Sequence, residues 1–337
     1  GRAGGVGGND GTGADAEGEE TRFGRAVREA FVAHGAEMDA LAGATIAPSP
    51  IWVVESQASV RAWWMVDSAK DGMTWVRRLA SYEEAHSTSQ SARISWIRLL
   101  QDLGHQPQFV TSGSLAERLL VERPKCVVLP AMLALSDRAV QVLNVYVRTG
   151  GTLVADHSTA LYDEQLRRRD VGALDDLFGI KERSLAWSDL FVREGQSTSR
   201  ESGLPPAEGA LRGEASREQR GTDTALERAV GRGRAYYLNA PVAAYREWRL
   251  DMAQVVRCRQ LRRYVRSALR RARVLPVCQV TGEGLPTCVE RVPLFLRDGR
   301  EVLAVRVNAI ERPRLLRRLA EGGPIPIELT FPRERHF

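Results

Sequence analysis

The sequence lacks the features that mark several classes of protein. It has no apolar run of the roughly 18 residues that a membrane-spanning helix requires. Its four cysteines include no C-x-x-C pair of the kind found in zinc and redox motifs. The Gly-Thr-Gly at 11–13 neither follows a strand nor precedes a Lys-Ser/Thr pair, so it is no phosphate-binding loop. We therefore expect no membrane span, no metal and no cofactor, and a cytoplasmic protein with reduced thiols. The alternative is that Cys278 and Cys288 meet across a hairpin.

Lysine is also scarce. Lys70, Lys125 and Lys181 are the only lysines among 48 basic residues. Such a preference for arginine is typical of biased codon usage rather than of a nucleic-acid surface. Eight arginines nevertheless fall between positions 257 and 273, and this segment supplies the whole positive excess of the net charge of +6. A nucleic-acid surface is an alternative, but no aromatic platform accompanies these arginines. We expect a solvated helix face, and nucleic acid is not expected as a partner.

The most regular stretch of the chain begins at residue 126. Residues 126–129 are a short apolar run typical of a buried strand, and Pro130 ends it. Ser136 can cap a helix whose apolar residues recur at helical spacing up to the glycine pair at 150–151. Residues 152–155 then resume as a second apolar strand. A strand, a helix and a strand in this order predict a βαβ crossover with two parallel strands.

Similar patterns precede this unit. Residues 51–54 and 108–111 predict two further strands, and residues 88–103 and 115–121 predict helices. The alternation predicts an α/β fold with a doubly wound parallel sheet of the flavodoxin type. The helix over 88–103 is expected to turn four apolar residues inward: Ile94, Ile97, Leu100 and Leu103.

Composition shifts divide the chain into segments. We expect a disordered leader at 1–20, a helix that links to an upstream region at 21–46, the doubly wound domain at 47–248 with a mobile loop over 194–223, a basic helix at 249–275, and a small antiparallel β-sandwich at 276–337. One side of the basic helix is expected to be apolar: Met252, Val255, Val256, Val265 and Leu269.

Candidate site residues follow from the sheet. Ligands of doubly wound sheets bind at the carboxyl ends of the parallel strands. A nucleophile elbow there would need small flanking residues, as in G-x-S-x-G, and residues 155–160 lack both these glycines and a cysteine. Asp156, His157 and Ser158 are adjacent, so their side chains diverge and form no triad. We therefore assign no catalytic residue. Candidate binding residues at a strand-end pocket or interface are Glu55, Ser56, Arg61, Trp64, Asp156 and His157.

Large aromatic residues are concentrated after the first strand. Trp63, Trp64 and Trp75 fall in a stretch that we expect to be rich in loop. Three tryptophans exceed what a short connection usually covers, and exposed aromatics are enriched at the centres of protein interfaces. The cluster predicts self-association through the doubly wound domain. The alternative is that all three pack in the core of a monomer.

Several ordered segments resemble one family. They are similar to the middle domain of family 42 glycoside hydrolases, the β-galactosidase trimerisation domain. The segments are SPIWVVESQASVRAWWMVD (49–67), VVLPAMLALSD (127–137), VYVRTGGTLVADHSTALYDE (145–164), GALDDLFGI (172–180), GRGRAYYLN (231–239) and IELTFPRERH (327–336). The resemblance covers residues 21–337.

The resemblance implies a fold and a role. The fold is that of class I glutamine amidotransferases without the nucleophile, serving as an assembly domain of a homo-oligomer, a trimer in the family, and followed by a small β domain. In this family a preceding (β/α)8 barrel holds two catalytic glutamates, one of which follows an asparagine. Residues 1–46 are too few for a barrel of about 250 residues. None of the asparagines is followed by Glu: Asn9, Asn144, Asn239 and Asn308.

The expected function is therefore a non-catalytic oligomerisation or accessory region of a β-galactosidase-like glycoside hydrolase. We expect either a fragment of such an enzyme or a relative without the barrel, with carbohydrate as a further candidate partner. The alternative is a hydrolase or sugar-binding module that uses a strand-end pocket near Glu55 and Asp156.

Overall fold

The computed structural model describes part of the chain, namely residues 20–70, 87–183, 204, 207, 211–213, 224–281, 289–307, 317, 321 and 328–331. The expectations for the leader, for most of the loop at 194–223, for Trp75 and for Cys288 lie outside these residues. The chain divides into two compact units, which are described separately. One contains residues 1–47, 294–302 and 337, and the other contains residues 48–293 and 303–336.

The secondary structure alternates between helices and strands for most of its length. In chain order the elements are α1 (Arg22–Ala33), α2 (Gly35–Leu41), β1 (Thr45–Ile46), β2 (Ile51–Glu55), α3 (Gln57–Lys70), α4 (Thr88–Asp102), β3 (Gln108–Thr111), α5 (Ser112–Glu122), β4 (Cys126–Leu129), α6 (Asp137–Arg148), β5 (Thr152–Asp156), α7 (Asp175–Phe178), β6 (Ile180–Glu182), β7 (Arg212–Gly213), β8 (Ala225–Val230), β9 (Gly233–Leu238), α8 (Tyr245–Trp248), α9 (Val255–Arg271), β10 (Gln279–Thr281), β11 (Val289–Phe295), β12 (Glu301–Val307) and β13 (Glu328–Thr330).

A six-stranded sheet forms the centre of the larger unit. Its strand order is β3-β2-β4-β5-β9-β8. The first five of these strands are parallel, and β8 runs antiparallel at the edge. Numbered along the chain, the parallel strands have the order 2-1-3-4-5 of flavodoxin-type sheets. The predicted doubly wound α/β fold is confirmed.

Helices cover both faces of this sheet. Trp52 and Val54 of β2 pack in a core with α5, α6 and α7. Their neighbours Ile51 and Val53 pack in a second core with α4, α8 and α9. Because successive strand residues point to opposite faces, a strand covered on both sides must be apolar throughout. This double burial explains the uninterrupted apolar runs of the sequence.

The predicted βαβ crossover is present with its expected signals. The Ser136 hydroxyl accepts a hydrogen bond from the Ala139 backbone N–H at 3.2 Å and so caps α6. Gly150 ends the helix with φ +121°, a conformation that side chains with a Cβ rarely adopt. The Tyr146 hydroxyl donates to the Pro124 carbonyl at 2.8 Å, which ties α6 to the chain that enters β4.

Two predicted helix faces are shifted in the structure. Helix α4 buries Trp96, Leu99 and Leu100, whereas Ile94 and Ile97 are only partly buried. Trp96 takes the inward position, and its indole donates a hydrogen bond to the Asp156 carboxylate at the end of β5. The first turn of α9 is exposed at Val255 and Val256, because the buried face of this helix begins three residues further on. Its members are Cys258, Leu261, Val265, Ala268 and Leu269.

A buried ion pair joins α4 to the helices that follow the sheet. The Asp102 carboxylate accepts hydrogen bonds from Arg249 Nη2 at 2.7 Å and from the Tyr245 hydroxyl. Arg262 Nε donates to the same hydroxyl at 2.7 Å. A carboxylate withdrawn from water in this way is tolerated because several donors replace its hydration.

The remaining strands and the first helices are described more briefly. Strand β10 pairs with β13, and Cys278, Val280 and Val289 form a small core there. The predicted sandwich and domain boundaries stay predictions. The helix expected over 21–46 is two helices, α1 and α2, because His34 has a non-helical backbone (φ −117°, ψ 16°). In the smaller unit β1 pairs with the end of β11. No helix in the described ranges is long and apolar enough to cross a membrane.

His105 is expected to make the stability of the larger unit depend on pH. Burial, followed by the positive charge of Arg291, lowers the pKa of His105 from 6.5 to about 4. Because the folded pKa is the lower one, the unfolded chain binds more protons as the pH falls through this window. The free energy of unfolding should therefore drop by about 3 kcal/mol between pH 6.5 and about 4.

Urea denaturation across this pH window tests the prediction. His105→Gln should remove this part of the pH dependence while leaving the contribution of the carboxylates. Equal pH dependence in the parent and His105→Gln proteins would contradict it.

Candidate functional site at the strand ends

The loops that follow β4 and β5 close the carboxyl end of the sheet. Residues 131–135 and 157–161 are buried along their whole length. They also pair with each other: the Ala160 N–H donates to the Met132 carbonyl at 2.7 Å, and the Tyr162 N–H donates to the Leu133 carbonyl at 3.1 Å. The place where a doubly wound sheet binds its ligand is thus occupied by the protein's own backbone.

Asp156 is the polar centre of this closed end. Its side chain is 0 % exposed and accepts hydrogen bonds from distant parts of the chain. Trp96 Nε1 donates to Oδ2 at 2.8 Å, and the Ala131 backbone N–H donates to Oδ1 at 2.5 Å. The carboxylate therefore fastens α4 and the β4 loop to the end of β5. A carboxylate held by buried donors is not presented to a substrate.

The stretch after β2 is a helix and not the loop that we expected. Helix α3 packs one face onto the β4 loop, where the Trp63 indole donates to the Ala131 carbonyl at 2.6 Å. Ser59 Oγ bonds both the carbonyl and the N–H of Ala134 at 2.9 Å. Ser56 Oγ donates to the same carbonyl at 3.2 Å. The hydroxyls and the indole thereby hold the helix against the strand ends.

The two adjacent tryptophans of α3 have opposite environments. Trp63 is 0 % exposed, and its ring meets the buried His157 ring edge-on with centroids 5.9 Å apart. Trp64 is 40 % exposed. The prediction of an interface residue is therefore wrong for Trp63, because its side chain points to the sheet side of the helix. For Trp64 it stays a prediction.

The six candidate binding residues thus fall into two groups. Ser56, Asp156 and His157 are enclosed at the strand ends. Of the other three, Glu55 ends β2, and Arg61 and Trp64 lie on α3. Glu55 Oε1 forms an ion pair with Arg93 Nη1 at 2.9 Å, and both side chains are partly exposed. Arg61 and Trp64 line a cavity of about 290 Å³ between the two helices. The structure therefore does not bring the six residues into one pocket.

Other residues of this cavity carry no signal in the sequence. Gln90 and Arg93 line its α4 side. Asp67 lies at its buried edge, and its carboxylate accepts hydrogen bonds from the Thr88 N–H and hydroxyl, both at 2.8 Å. The spacing of residues 90 and 93 places them on one helix face. It cannot show that this face looks across to α3.

The arginines of the basic helix have different surroundings. Arg262 bonds Tyr245, Arg257 lies 5.2 Å from the centre of the Trp248 ring, and Arg271 lies 3.5 Å from the Glu227 carboxylate. Four more lie exposed along one face of α9: Arg259, Arg263, Arg266 and Arg270. The expectation of a solvated face for the latter stays a prediction. Across the described ranges, no three His, Cys, Asp or Glu residues are grouped so that they could hold a metal ion.

Comparison with known proteins identifies the fold. No family model matches the chain, and neither does any curated protein. Solved structures do match. Gan42B, a GH42 β-galactosidase from G. stearothermophilus, aligns with a TM-score of 0.55 and 14 % identity over 95 % of this chain. The β-galactosidase from Bacillus circulans sp. alkalophilus aligns with a TM-score of 0.55 and 16 % identity over 86 %. That of a Rahnella species aligns with a TM-score of 0.53 and 13 % identity over 88 %.

The chain shares the fold of part of the GH42 β-galactosidases. It spans less than half of their length, namely 45 %, 40 % and 41 % of the three chains. The described residues form an open sheet and no eight-stranded barrel, so the shared part is a portion outside a barrel. The resemblance found in the sequence is thereby confirmed at the level of the fold.

Removal of the Asp156 carboxylate should cost more than removal of an ordinary surface carboxylate. Asp156→Ala leaves the Trp96 indole and the Ala131 N–H buried without an acceptor, which should lower the free energy of unfolding by about 3–5 kcal/mol. Asp176→Ala is the control, because the Asp176 carboxylate is mostly exposed and its ion pair with Arg228 should contribute less than about 1 kcal/mol. Chemical denaturation measures both.

Trp96→Phe separates the hydrogen bond from the loss of volume. In the Asp156→Ala background, Trp96→Phe should lower the free energy of unfolding clearly less than it does in the parent protein, because the Trp96 indole and the Asp156 carboxylate interact. Fully additive effects would contradict a bond between them.

Proposed function

We propose that this chain is a non-catalytic accessory and assembly region of a β-galactosidase-like glycoside hydrolase. The fold it shares with GH42 β-galactosidases, over less than half of their length, supports the relation to such enzymes. The closed carboxyl end of the sheet supports the non-catalytic role, because it leaves no open site for a substrate at the strand ends. That closure is the single observation that carries the non-catalytic part of the proposal.

The closed end argues against a hydrolase at the strand ends. A nucleophile elbow exposes a reactive side chain at a tight turn after a strand. The turn after β4 carries Ala131 at a positive φ (38°) and has no reactive group. The turn after β5 carries Ser158 at a positive φ (63°), but this side chain is buried and not exposed as an elbow requires. Glycoside hydrolysis instead requires two carboxyl groups that face a sugar from opposite sides. Asp156 is fully buried and bonded, so it cannot pair with Glu55 across a substrate.

Purified protein should therefore show no turnover of an aryl β-galactoside above the uncatalysed rate. Glu55→Gln is the informative control, since Glu55 is the partly exposed carboxylate of the alternative hydrolase. Turnover that persists through two different chromatographic steps and is lost in Glu55→Gln would overturn the proposal.

Assembly is the second part of the proposed function. We infer that copies of the chain associate, as a trimer if the family resemblance extends to the number of subunits. Leu250, which precedes α9, and Val255 and Val256 at the start of α9 are exposed within seven residues. Covering each of these side chains would stabilise an assembly by at most about 1.5–3 kcal/mol. We place the interface here because two of the three exposed apolar residues on α3, Val60 and Trp64, already line a cavity, which leaves Met65 alone.

Sedimentation velocity from micromolar to tens-of-micromolar protein tests this inference. The parent protein should form oligomers, and Val256→Asp should weaken association by at least about tenfold, because it buries a charge in the interface. Val121→Asp is the control, since Val121 is an isolated, strongly exposed side chain on α5. A parent protein that stays monomeric would overturn the assembly role. Dissociation by Trp64→Ala but not by Val256→Asp would move the interface to α3.

A further inference from the structure

The cavity between α3 and α4 has the composition of a small-molecule site. Its volume of about 290 Å³ is close to the lower limit of ligand pockets, which is about 300 Å³. Helix α3 contributes Gln57, Arg61 and Trp64 to its walls, and α4 contributes Gln90 and Arg93. The cavity thus combines one flat aromatic ring with side chains that form hydrogen bonds.

These polar side chains favour a ligand with many hydroxyl groups. Gln57 and Gln90 each offer an amide donor and an amide acceptor, whereas Arg61 and Arg93 offer only donors. The Asp67 carboxylate adds an acceptor at the buried edge. A sugar hydroxyl donates one hydrogen bond and accepts others, so a mixed set of donors and acceptors suits it. The C–H face of a pyranose ring suits the exposed ring of Trp64.

The charge balance favours a neutral ligand over an anion. The two guanidinium groups of the walls are matched by two carboxylates, since Glu55 pairs with Arg93 at 2.9 Å and Asp67 lines the same cavity. The formal charges of these four groups sum to zero. A phosphate or a uronate would therefore gain little electrostatic binding free energy from the arginines, because the carboxylates offset them. The binding of a neutral sugar does not depend on this balance.

Both walls are held in place without a ligand. Asp67 at the end of the α3 wall is fixed by the Thr88 N–H and hydroxyl at the start of α4. Arg93 on the α4 wall is fixed by Glu55 at the end of β2. A site whose side chains are already oriented avoids part of the ordering cost of binding.

We propose that this cavity binds one neutral hexopyranose unit, with Trp64 stacked on the sugar ring and Gln90 bonded to its hydroxyls. The hexopyranose class follows from the cavity itself. The choice of a β-galactoside as first probe rests on the proposed function. The role would be to hold a carbohydrate on an accessory region and not to cleave it.

Isothermal titration with methyl β-galactoside and methyl β-glucoside tests the proposal, at sugar concentrations up to tens of millimolar. At least one of these sugars should bind. Trp64→Ala should weaken that binding by at least about tenfold, and Trp64→Phe should restore part of it because an aromatic face returns. Gln90→Ala should weaken it severalfold. Met65→Ala is the matched control, since Met65 is the exposed neighbour on α3 that does not line the cavity, and it should leave the affinity unchanged.

Three results would overturn the proposal. They are the absence of binding by either sugar, binding that Trp64→Ala leaves unchanged in a folded variant, and tighter binding of galacturonate or inorganic phosphate than of either neutral sugar. Far-ultraviolet circular dichroism confirms the folding of each variant. Sedimentation and turnover are measured on the same proteins, so failure of the sugar site is distinguished from failure of the assembly role.

Discussion

The larger unit depends on one buried carboxylate at the end of its central sheet. Asp156 receives the Trp96 indole from one helix and the Ala131 N–H from the neighbouring strand's loop, and it thereby joins three elements at the sheet's carboxyl end. Burying a negative charge is expensive unless donors replace its lost water. The two donors meet that requirement here, and they also fix how α4 and the β4 loop lie against β5. The Trp63 indole donates a hydrogen bond to the Ala131 carbonyl of the same loop.

The closure has a functional consequence. Parallel sheets collect backbone groups and helix termini at one edge, which is why ligands and nucleophiles are found there in so many α/β proteins. In this chain Trp63, His157 and Asp156 occupy that edge as part of the core. The chain thus has the doubly wound scaffold, but its own side chains fill the position at which such sheets usually bind a ligand. The open polar cavity lies instead between α3 and α4, and the α3 residue next to Trp63, about 100° further around the helix axis, is the Trp64 that lines it.

Local sequence signals located most of the scaffold but not the site. The strands were predictable because both faces of the sheet are covered, which requires runs such as Cys126–Leu129 to be apolar at every position. Helix α6 was predictable because Ser136 and Gly150 mark its ends chemically. Helix α3 was missed because its apolar and polar residues do not separate into a regular stripe. The inward face of α4 was misassigned because Ile94 and Ile97 have the same hydrophobic character as the residues that are buried.

By itself, the sequence determined the order of most elements and the flavodoxin-type architecture, because both depend on the linear spacing of apolar and capping residues. Its resemblance to family 42 enzymes pointed to the fold that the solved structures share. Only the tertiary structure decided which polar residues are accessible. Trp63 and Trp64 are identical in chemistry and adjacent in the chain, yet a rotation of about 100° per helical residue sends one into the core and the other to a cavity. Asp156 and Glu55 both end parallel strands, yet one is sealed by donors from distant segments and the other is not. Burial is a property of what packs against a residue, and the packing partners come from parts of the chain that no local pattern connects.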